Sequence, residues 1–413
     1  MNNRKNLFDR LDEFKKRIKI DSFTLAGVRL TFSEKERNEN HFREILDRIE
    51  RSDSISNEVF VVSAHNVDEI KLIDKIDSDH ECEVFDNPTR EPGGSGANSA
   101  YILGLLGIRT SITGAVSKDD DGDYLESSLL SAGVNTELLY KANSLPTGKT
   151  ITLVEESGKR LIVVSPGINN EFHKHCEKAS IIDRAKQSKI VHLSSFVGKE
   201  EVKLQEYIAS EVYGKAIVSL TPGAIYSRKG LDRLTKLIQN IDIMFLYMEQ
   251  LSDLVNRSSA KSFLKGNEIS DYLRALYKWR SKKKYTSPLI IVVKDAYDES
   301  MQHSSKRFLA VGVGIDDLDS YMYPEELDPN IRIEMPDTTG AGDAAVAGFL
   351  TGMLNGANLE SCIDSAFIMS RFASTCIGAR TAFSERNPDL LGVASDIFSD
   401  ERESTQTPNP YND

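Results

Sequence analysis

The nine residues 335–343, with the sequence MPDTTGAGD, carry the clearest chemical signal in this chain. Gly340 and Gly342 permit backbone angles that other residues avoid, and an apolar helix is predicted to follow them. The free N–H groups of such a helix start, including that of Ala341, form an anion site that the helix dipole reinforces. A carboxylate at this place, Asp343, would repel phosphate, but it is suited to take a proton from a hydroxyl that attacks phosphorus. The alternative is an ordinary helix start with an acidic first turn.

Alternating strand and helix patterns must position these residues. Apolar runs such as residues 58–63 suit buried parallel strands, and helical patterns separate them. This alternation predicts right-handed βαβ units in one sheet with helices on both faces. Residues 81–86 could form a strand outside the core, and residues 150–155 and 160–165 form a predicted hairpin. Further predicted strands lie at residues 110–115, 190–193, 216–220, 241–246 and 289–293, and helices at residues 96–106, 121–132 and 344–354.

The two ends of the chain differ from this alternating body. Residues 1–52 are predicted to form a charged helical extension, with an amphipathic helix at residues 6–20 and a second helix at residues 33–52. Residues 53–395 form the predicted main domain. The polar residues 396–413 are predicted to be a disordered tail.

The composition restricts the classes of function. The chain has 413 residues, of which 40% are hydrophobic and 28% charged, and no apolar run is long enough to span a bilayer. A formal net charge of −12 argues against nucleic acid as the main partner. The charged N-terminus does not resemble a signal peptide, and the four cysteines have no paired spacing. A cytoplasmic protein with reduced thiols and no membrane partner is expected.

A second glycine-rich segment, PGGSGANSA at residues 92–100, also precedes a predicted helix. Together with residues 335–343 it resembles the paired signatures of the ribokinase-like (PfkB) sugar and nucleoside kinase family. The resemblance covers residues 58–395. Further strings similar to those of the family are VFVVSAHNVD at residues 59–68, the Gly-Ile-Asn turn at residues 167–169, VSLTPG at residues 218–223, and the Gly-Ala-Arg turn at residues 378–380, which is typical of archaeal-type members.

The resemblance implies a fold and an assembly. It predicts a three-layer α/β/α sandwich with a mostly parallel central sheet and a small β lid. The lid strands would lie near residues 81–86, 150–155 and 160–165, and the closed lid would exclude water, which competes with the substrate hydroxyl as acceptor. Because lids of this family often pair between subunits, a homodimer is expected.

The family's functional residues carry over to the positions that match its motifs. Asp343 would be the general base, and the N–H groups of Gly340, Ala341 and Gly342 would form the anion hole. A carboxylate can accept two hydroxyl hydrogen bonds, and an amide can both donate and accept, as a sugar requires. The alternatives are a helix cap for Asp68 and turn capping for the two asparagines below. The implied substrate-binding residues are Asp68, Gly94, Asn98 and Asn169, and the implied nucleotide-binding residues are Lys294, Thr338, Gly340 and Gly342.

Two departures from the family pattern concern the phosphate donor. Where the family has Asn-x-x-Glu to organise magnesium, this chain has Tyr247 and Gln250, and Gln lacks the charge that holds hydrated Mg²⁺. Glu249 could substitute as a metal ligand, although on a helix start it points about 100° away. The nucleotide loop, residues 294–299 (KDAYDE), has no glycine and three acids where polyphosphate would lie. Either another segment contacts the phosphates, or the donor site is weakened; Lys294 could still reach a phosphate.

The sequence therefore predicts a kinase that transfers the γ-phosphoryl group of ATP, with Mg²⁺ or Mn²⁺, to a hydroxyl of a sugar, nucleoside or related polyol. The alternative is a catalytically weak or inactive relative that binds a sugar or nucleotide for regulation or assembly. The intact residues 335–343 favour the enzyme, whereas Tyr247, Gln250 and the acidic loop favour the alternative. A phosphorylated sugar stays open as a substrate because four basic residues lie near the predicted lid, and the alternative is that they are simply solvated; they are Arg90, Lys149, Lys159 and Arg160.

Overall fold

A computed structural model describes most of the predicted main domain. The predicted helix at residues 6–20, Cys82, the nucleotide loop beyond residue 296, residues 335–337 and the tail at residues 396–413 lie outside the described part. The described residues are 32–50, 57–74, 84, 89–155, 160–285, 287–296, 308–314, 319–323, 338–376 and 378–384.

Two β-sheets account for the described strands. Strands β1, β4, β5 and β8 to β13 form a nine-stranded sheet in the order β13-β12-β11-β10-β9-β8-β1-β4-β5, and the other four form a small sheet in the order β3-β2-β6-β7. In the large sheet only the pairs β11–β12 and β12–β13 are antiparallel. The strands are β1 (Asn57–Val62), β2 (Asn66–Ile73), β3 (Thr89–Gly93), β4 (Thr110–Ser117), β5 (Asn135–Ala142), β6 (Gly148–Glu155), β7 (Arg160–Ser165), β8 (Ser188–Ser194), β9 (Ile217–Thr221), β10 (Ile243–Tyr247), β11 (Leu289–Ala296), β12 (Phe308–Gly314) and β13 (Asp319–Tyr323).

Helices cover both faces of the large sheet. On one face α1, α2, α3, α11 and α12 share a hydrophobic core with the sheet, and on the other face α4 to α10 form a second core. This arrangement confirms the predicted three-layer α/β fold with a mostly parallel sheet. The helices are α1 (Phe32–Glu50), α2 (Ser95–Leu105), α3 (Asp120–Ser131), α4 (Phe172–His175), α5 (Lys178–Lys186), α6 (Lys199–Val212), α7 (Gly223–Ser227), α8 (Thr235–Ile238), α9 (Met248–Asn256), α10 (Ile269–Lys282), α11 (Ala341–Leu354) and α12 (Leu359–Ala373).

The central strands were predictable because they are buried on both faces. Every residue of β4 and β9 is buried, and such strands read as continuous apolar or small-residue runs. Strand β5 was not predicted. It lies at one edge of the sheet, and exposed and buried residues alternate over its first half, so the sequence NTELLYKA contains no long continuous apolar run.

The small sheet corresponds to the predicted lid, but two of the strands that form it are not the expected ones. The predicted strands at residues 150–155 and 160–165 are β6 and β7. The other half is β2 and β3, whereas of residues 81–86 only Val84 is described, in a single bridge to Ile73. Asp68 therefore lies within a strand, which excludes the helix-cap alternative.

Helix α1, the described part of the N-terminal extension, packs on the body of the domain. Phe42 and Ile45 are fully buried in the first core, and the Phe42 ring meets the Phe349 ring edge-on at 6.3 Å. Arg48 Nη1 lies 2.7 Å from the buried Asp242 Oδ1 before β10. Among the described helices, none is both long and apolar enough to cross a membrane.

Candidate active site

A cavity lies at the carboxyl ends of β1 and β8, where the strand order reverses. From β1 the chain builds outward through β4 and β5, and it then returns to the other side of β1 at β8. In open α/β sheets, ligands bind in the crevice at such a switch point. The cavity has a volume of about 150 Å³. The polar side chains that line it are Asn66, Ser95, Asn169, Ser194 and Ser195, and Val164 of the lid closes one side.

The two glycine-rich segments meet beside this cavity. The N-termini of α2 and α11 converge, and Asp343 lies in the first turn of α11. Ser95 Oγ donates to Asp343 Oδ1 at 2.6 Å, and Asn98 Nδ2 donates to Asp343 Oδ2 at 2.9 Å. Ser99 Oγ also donates to the Asp343 carbonyl oxygen at 3.0 Å. Since Ser95 also lines the cavity, only this side chain separates the Asp343 carboxylate from the cavity.

The surroundings of Asp343 set its affinity for protons. Burial raises the pKa of Asp343 above its ordinary value, because a low-dielectric site disfavours the anion. The hydrogen bonds from Ser95 and Asn98 and the positive charges of Lys294 and Arg380 oppose this rise. An aspartate with a raised pKa is a stronger base than one in water, as general base catalysis requires.

Two glycines of the segment at residues 335–343 are required by close contacts. Gly340 has φ +77°, and a Cβ there would lie 2.5 Å from Ala379 Cα. A Cβ on Gly342 would lie 2.3 Å from Tyr247 Oη and 2.7 Å from Lys294 Nζ. The Ala341 N–H donates to the Thr338 carbonyl oxygen at 3.2 Å, so in this structure it belongs to the turn and does not point freely towards a ligand.

Asp68 reaches the same region from the lid. A Cβ on Gly93, in the neighbouring strand β3, would lie 2.1 Å from Asp68 Oδ2, so this glycine makes room for the carboxylate. Burial raises the pKa of Asp68 to about 7, and the negative charges of Asp343 and Glu91 add to the rise. Asp68 and Asp343 therefore influence each other electrostatically, as two groups around one substrate would.

Gly94 and Asn169 hold the backbone at the edge of the cavity. Gly94 has φ +97°, and a Cβ there would lie 2.4 Å from the Ala64 carbonyl oxygen. The side chain of Asn169 accepts from the His65 N–H at 2.9 Å and donates to the His65 carbonyl oxygen at 2.8 Å. Asn169 lines the cavity, and its amide also fixes the chain between β1 and β2.

Arg380 is a site residue that the sequence interpretation missed. Its guanidinium is buried, and Nε donates to Asn98 Oδ1 at 2.9 Å while Nη1 donates to Ser128 Oγ at 2.9 Å. The Tyr101 ring lies 5.1 Å from the guanidinium carbon. The Gly-Ala-Arg turn is similar to a turn of the family, but the sequence does not show that folding brings its arginine to the N-terminal part of α2.

Lys294 is a predicted nucleotide-binding residue that the structure places beside the start of α11. It lies near the end of β11 and is buried, with Nζ 3.3 Å from the Gly342 carbonyl oxygen and 4.5 Å from the centre of the Tyr247 ring. Strand β11 continues to Ala296, beyond its predicted end at residue 293. Thr338 is partly buried just before the turn that leads into α11.

The residues at the expected metal motif do not fit a magnesium ion held by the protein. Gln250 Oε1 accepts from the Tyr247 N–H at 3.1 Å, so it caps the start of α9. Glu249 is exposed. Within the described ranges, no three His, Cys, Asp or Glu side chains come together in a way that could hold a metal ion.

Two of the basic residues near the lid, Lys149 and Arg90, are engaged with acids. Lys149 Nζ lies 2.9 Å from Asp121 Oδ2 and 3.7 Å from Glu69 Oε1. Arg90 also pairs with Asp121. Their charges are therefore largely compensated before any ligand binds.

Comparisons with known proteins agree with the fold. The model of the pfkB family carbohydrate kinases matches residues 57–291 and 326–386. An uncharacterized sugar kinase of Archaeoglobus fulgidus is 27% identical over 267 residues, which are 63% of this chain and 89% of that protein. A nucleoside kinase of Methanocaldococcus jannaschii is 23% identical over 274 residues, which are 65% of this chain and 74% of that protein.

Solved structures show the same architecture. The crystal structure of the Methanocaldococcus jannaschii nucleoside kinase matches with a TM-score of 0.60 at 19% identity, over 83% of this chain and 97% of that one. The structure of Arabidopsis thaliana ribokinase complexed with ribose and ATP matches with a TM-score of 0.59 at 19% identity, over 80% of this chain and 97% of that one. With more than half of its residues matched by the family model, the chain belongs to the pfkB family of carbohydrate kinases.

Proposed function

We propose that this protein transfers the γ-phosphoryl group of ATP to a hydroxyl of a sugar, nucleoside or related polyol. The observation that carries the proposal is the position of Asp343. It lies in the first turn of α11 and is linked to the cavity through Ser95. The Lys294 ammonium group lies 3.3 Å from the carbonyl oxygen of Gly342, the residue before Asp343. A base, an anion-binding helix start and a cation are thus combined at the edge of one cavity, as phosphoryl transfer requires.

In this mechanism the substrate lies in the cavity under the lid and directs one hydroxyl towards Asp343. Each carboxylate oxygen has two lone pairs. Asp343 can therefore accept the proton of the substrate hydroxyl while hydrogen bonds from Ser95 and Asn98 hold its carboxylate in place. The N–H groups of Gly340 and Gly342, together with Lys294, stabilise the negative charge on the transferred group. Asp68 binds a hydroxyl of the substrate from the lid side.

ATP is the proposed donor. The Arabidopsis ribokinase structure was obtained with ribose and ATP, and that of the Cryptococcus neoformans ribokinase with ADP. Lys294 and Thr338 would contact the nucleotide phosphates. Because residues 247–250 supply no inward-facing acid, Mg²⁺ or Mn²⁺ would be brought in mainly by the nucleotide itself.

The substrate would be small and rich in hydroxyl groups. Asn66, Ser194 and Ser195 give the cavity hydrogen-bonding groups without charge. Relatives include kinases named for nucleosides, for ribose 1-phosphate and as ribokinase. The ion pairs of Arg90 and Lys149 favour an uncharged sugar or nucleoside over a phosphorylated sugar.

The lid supports a homodimer. Strand β7 is the edge strand of the lid sheet, and Leu161, Ile162 and Val163 on it are 44%, 59% and 49% exposed. An exposed apolar edge strand favours pairing with another chain. A second copy would continue the lid sheet by pairing with the edge of β7. The proposed cellular location is the cytoplasm.

The experiment is a panel of ribose, nucleosides, ribose phosphates, hexoses and inositol in which nucleotide consumption is measured. For the accepted substrate, Asp343→Asn should keep the fold and substrate binding but lower kcat by at least about 10²-fold, the low end for acid–base catalysis. Near-normal turnover of the Asn variant would remove Asp343 from its proposed role.

A catalytically weak relative is the second candidate, and the use of Gln250 as a helix cap favours it. Binding of ATP and ADP, measured with and without Mg²⁺ by calorimetry, separates the two functions. Affinity that is independent of Mg²⁺, combined with no consumption of ATP across the panel, would support the weak relative.

A further inference from the structure

Arg380 lies in the middle of a short chain of hydrogen bonds that ends at Asp343. Its Nε donates to Asn98 Oδ1 at 2.9 Å, and Asn98 Nδ2 donates to Asp343 Oδ2 at 2.9 Å. The guanidinium is held on its other side by Ser128 Oγ and by the Tyr101 ring. Arginine 380 and asparagine 98 are 282 residues apart in the sequence, so this contact exists only in the fold.

The donors and acceptors of Arg380, Asn98 and Asp343 fix the direction of these hydrogen bonds. A guanidinium has five N–H donors and no acceptor, whereas an amide has one acceptor oxygen and one donor nitrogen. The oxygen of Asn98 must therefore face Arg380, and its NH₂ group must face Asp343. If Arg380 were replaced by an apolar side chain, the Asn98 oxygen would lose its donor, and the amide would keep only one of the two contacts that fix its orientation.

We propose, on the basis of the kinase function proposed above, that Arg380 is a positioning residue that orients the Asn98 amide and thereby fixes the carboxylate of Asp343. It acts through Asn98 and does not touch the substrate. The Asn98 oxygen is occupied by Arg380, so Asn98 serves the base more than the sugar, in contrast to its predicted role in substrate binding.

Other charged groups lie near these hydrogen bonds, and a test must separate their electrostatic effects from the effect of the Asn98 amide. Asp68 on β2 and Tyr124 on α3 influence Arg380, Glu91 on β3 influences Asp68, and Lys294 on β11 influences Asp343. A direct charge effect of Arg380 on Asp343 would persist when Asn98 is removed, whereas an effect through the amide would disappear. A double-mutant cycle distinguishes the two.

The test measures the titration of the Asp343 carboxyl carbon by NMR, in full-length protein labelled at aspartate. It compares the parent, Arg380→Met, Asn98→Ala and the double variant. Because a hydrogen bond to a carboxylate lowers its pKa, Arg380→Met should raise the titration midpoint of Asp343 by about 1 pH unit. In the Asn98→Ala background the same substitution should change it by less than half as much. An equal rise in both backgrounds, or no rise in either, would overturn the proposal.

Two further variants protect the interpretation. Arg280→Met removes another buried arginine, which stacks on Tyr285 and bonds to Ser287 far from Asp343, and should leave the titration unchanged. If Arg380→Met does not fold, Arg380→Lys replaces it in the cycle, because Lys keeps the charge but loses the planar fork.

Activity supplies an independent measurement, with ribose and inosine as acceptors. Arg380→Met should lower kcat about tenfold and leave the KM for ATP unchanged, because a misdirected base affects only the chemical step. Since the titration requires no substrate, a parent protein without turnover would count against the kinase function alone, and the NMR cycle would still decide the role of Arg380.

Discussion

Gly342 is a position at which a single methyl group should have a large effect on catalysis. In Gly342→Ala the added Cβ would lie 2.3 Å from Tyr247 Oη and 2.7 Å from Lys294 Nζ. Ordinary contacts begin at 3.4 Å, so the hydroxyl must move by about 1.1 Å and the ammonium by about 0.7 Å. Both side chains border the start of α11, and Lys294 is the cation proposed to face the transferred phosphoryl group.

The size of the expected effect follows from these displacements. A misplacement of about 1 Å at a reacting centre can cost about 10²-fold in rate, so kcat should fall by roughly 10- to 100-fold. Helix stability should not fall, because alanine is more favourable than glycine in a helix by about 1 kcal/mol. The loss of activity should therefore occur without a large loss of thermal stability.

The assay measures kcat and KM by ADP production and the melting temperature by circular dichroism. Gly352→Ala is the matched control in α11, because its Cβ would lie 2.9 Å from Cys362 Sγ, in the core and away from the cavity. Combining Gly342→Ala with Tyr247→Phe removes the hydroxyl that clashes and should restore part of the rate. If Gly342→Ala retained the kcat of the parent, the contacts of Tyr247 and Lys294 with this turn would have no catalytic importance.

Three further predictions concern the lid, the metal and the assembly. Burial raises the pKa of Asp68 to about 7 from 3.8, so the stability contributed by its protonated form is full below about pH 4 and is lost as the pH rises towards 7. Asp68→Asn should remove this decline from melting curves recorded between pH 4 and 8, and parallel curves for parent and variant would contradict the buried acid. Gln250→Glu keeps an oxygen that caps the Tyr247 N–H and adds a negative charge. It should lower the Mg²⁺ concentration that gives half the maximal rate by about fivefold, which corresponds to roughly 1 kcal/mol of Coulomb attraction. An unchanged Mg²⁺ requirement would show that this position does not face the metal. Ile162→Glu places a charge on the exposed edge strand β7 and should convert the expected dimer to a monomer in light scattering, whereas a parent that is already monomeric would refute pairing through the lid.

The sequence predicts the buried parts of this fold well for a physical reason. A strand covered on both faces consists mainly of apolar and small residues, and β1 and β10 are visible through the runs VFVV and IMFL. The lid strands β2 and β3 do not have this pattern. Lys71 and Glu69 on β2 are only partly buried, so the lid strand contains charges that conceal it from pattern analysis.

The parts of the candidate site that can be predicted are those whose residues are close together in the sequence. Contacts between residues that only folding brings together cannot be predicted in this way. Asp343 and its glycines form one continuous string, and their grouping in the structure follows directly. Arg380 reaches Asn98 across 282 residues, and neither residue alone indicates the contact. The role of Gln250 as a cap also depends on local geometry, since the same side chain could equally have faced a metal.

The way the lid is inserted in the chain has a consequence for the order of folding. The hairpin β2–β3 follows β1, the hairpin β6–β7 follows β5, and the two join only where β2 pairs with β6, Asn66 opposite Gly148. These partners are about 80 residues apart, and α2, β4, α3 and β5 lie between them. Non-local strand pairs form late because the chain entropy of closing them must first be overcome. The lid sheet should therefore assemble after the adjoining strands β1, β4 and β5, whose partners are closer together in the chain.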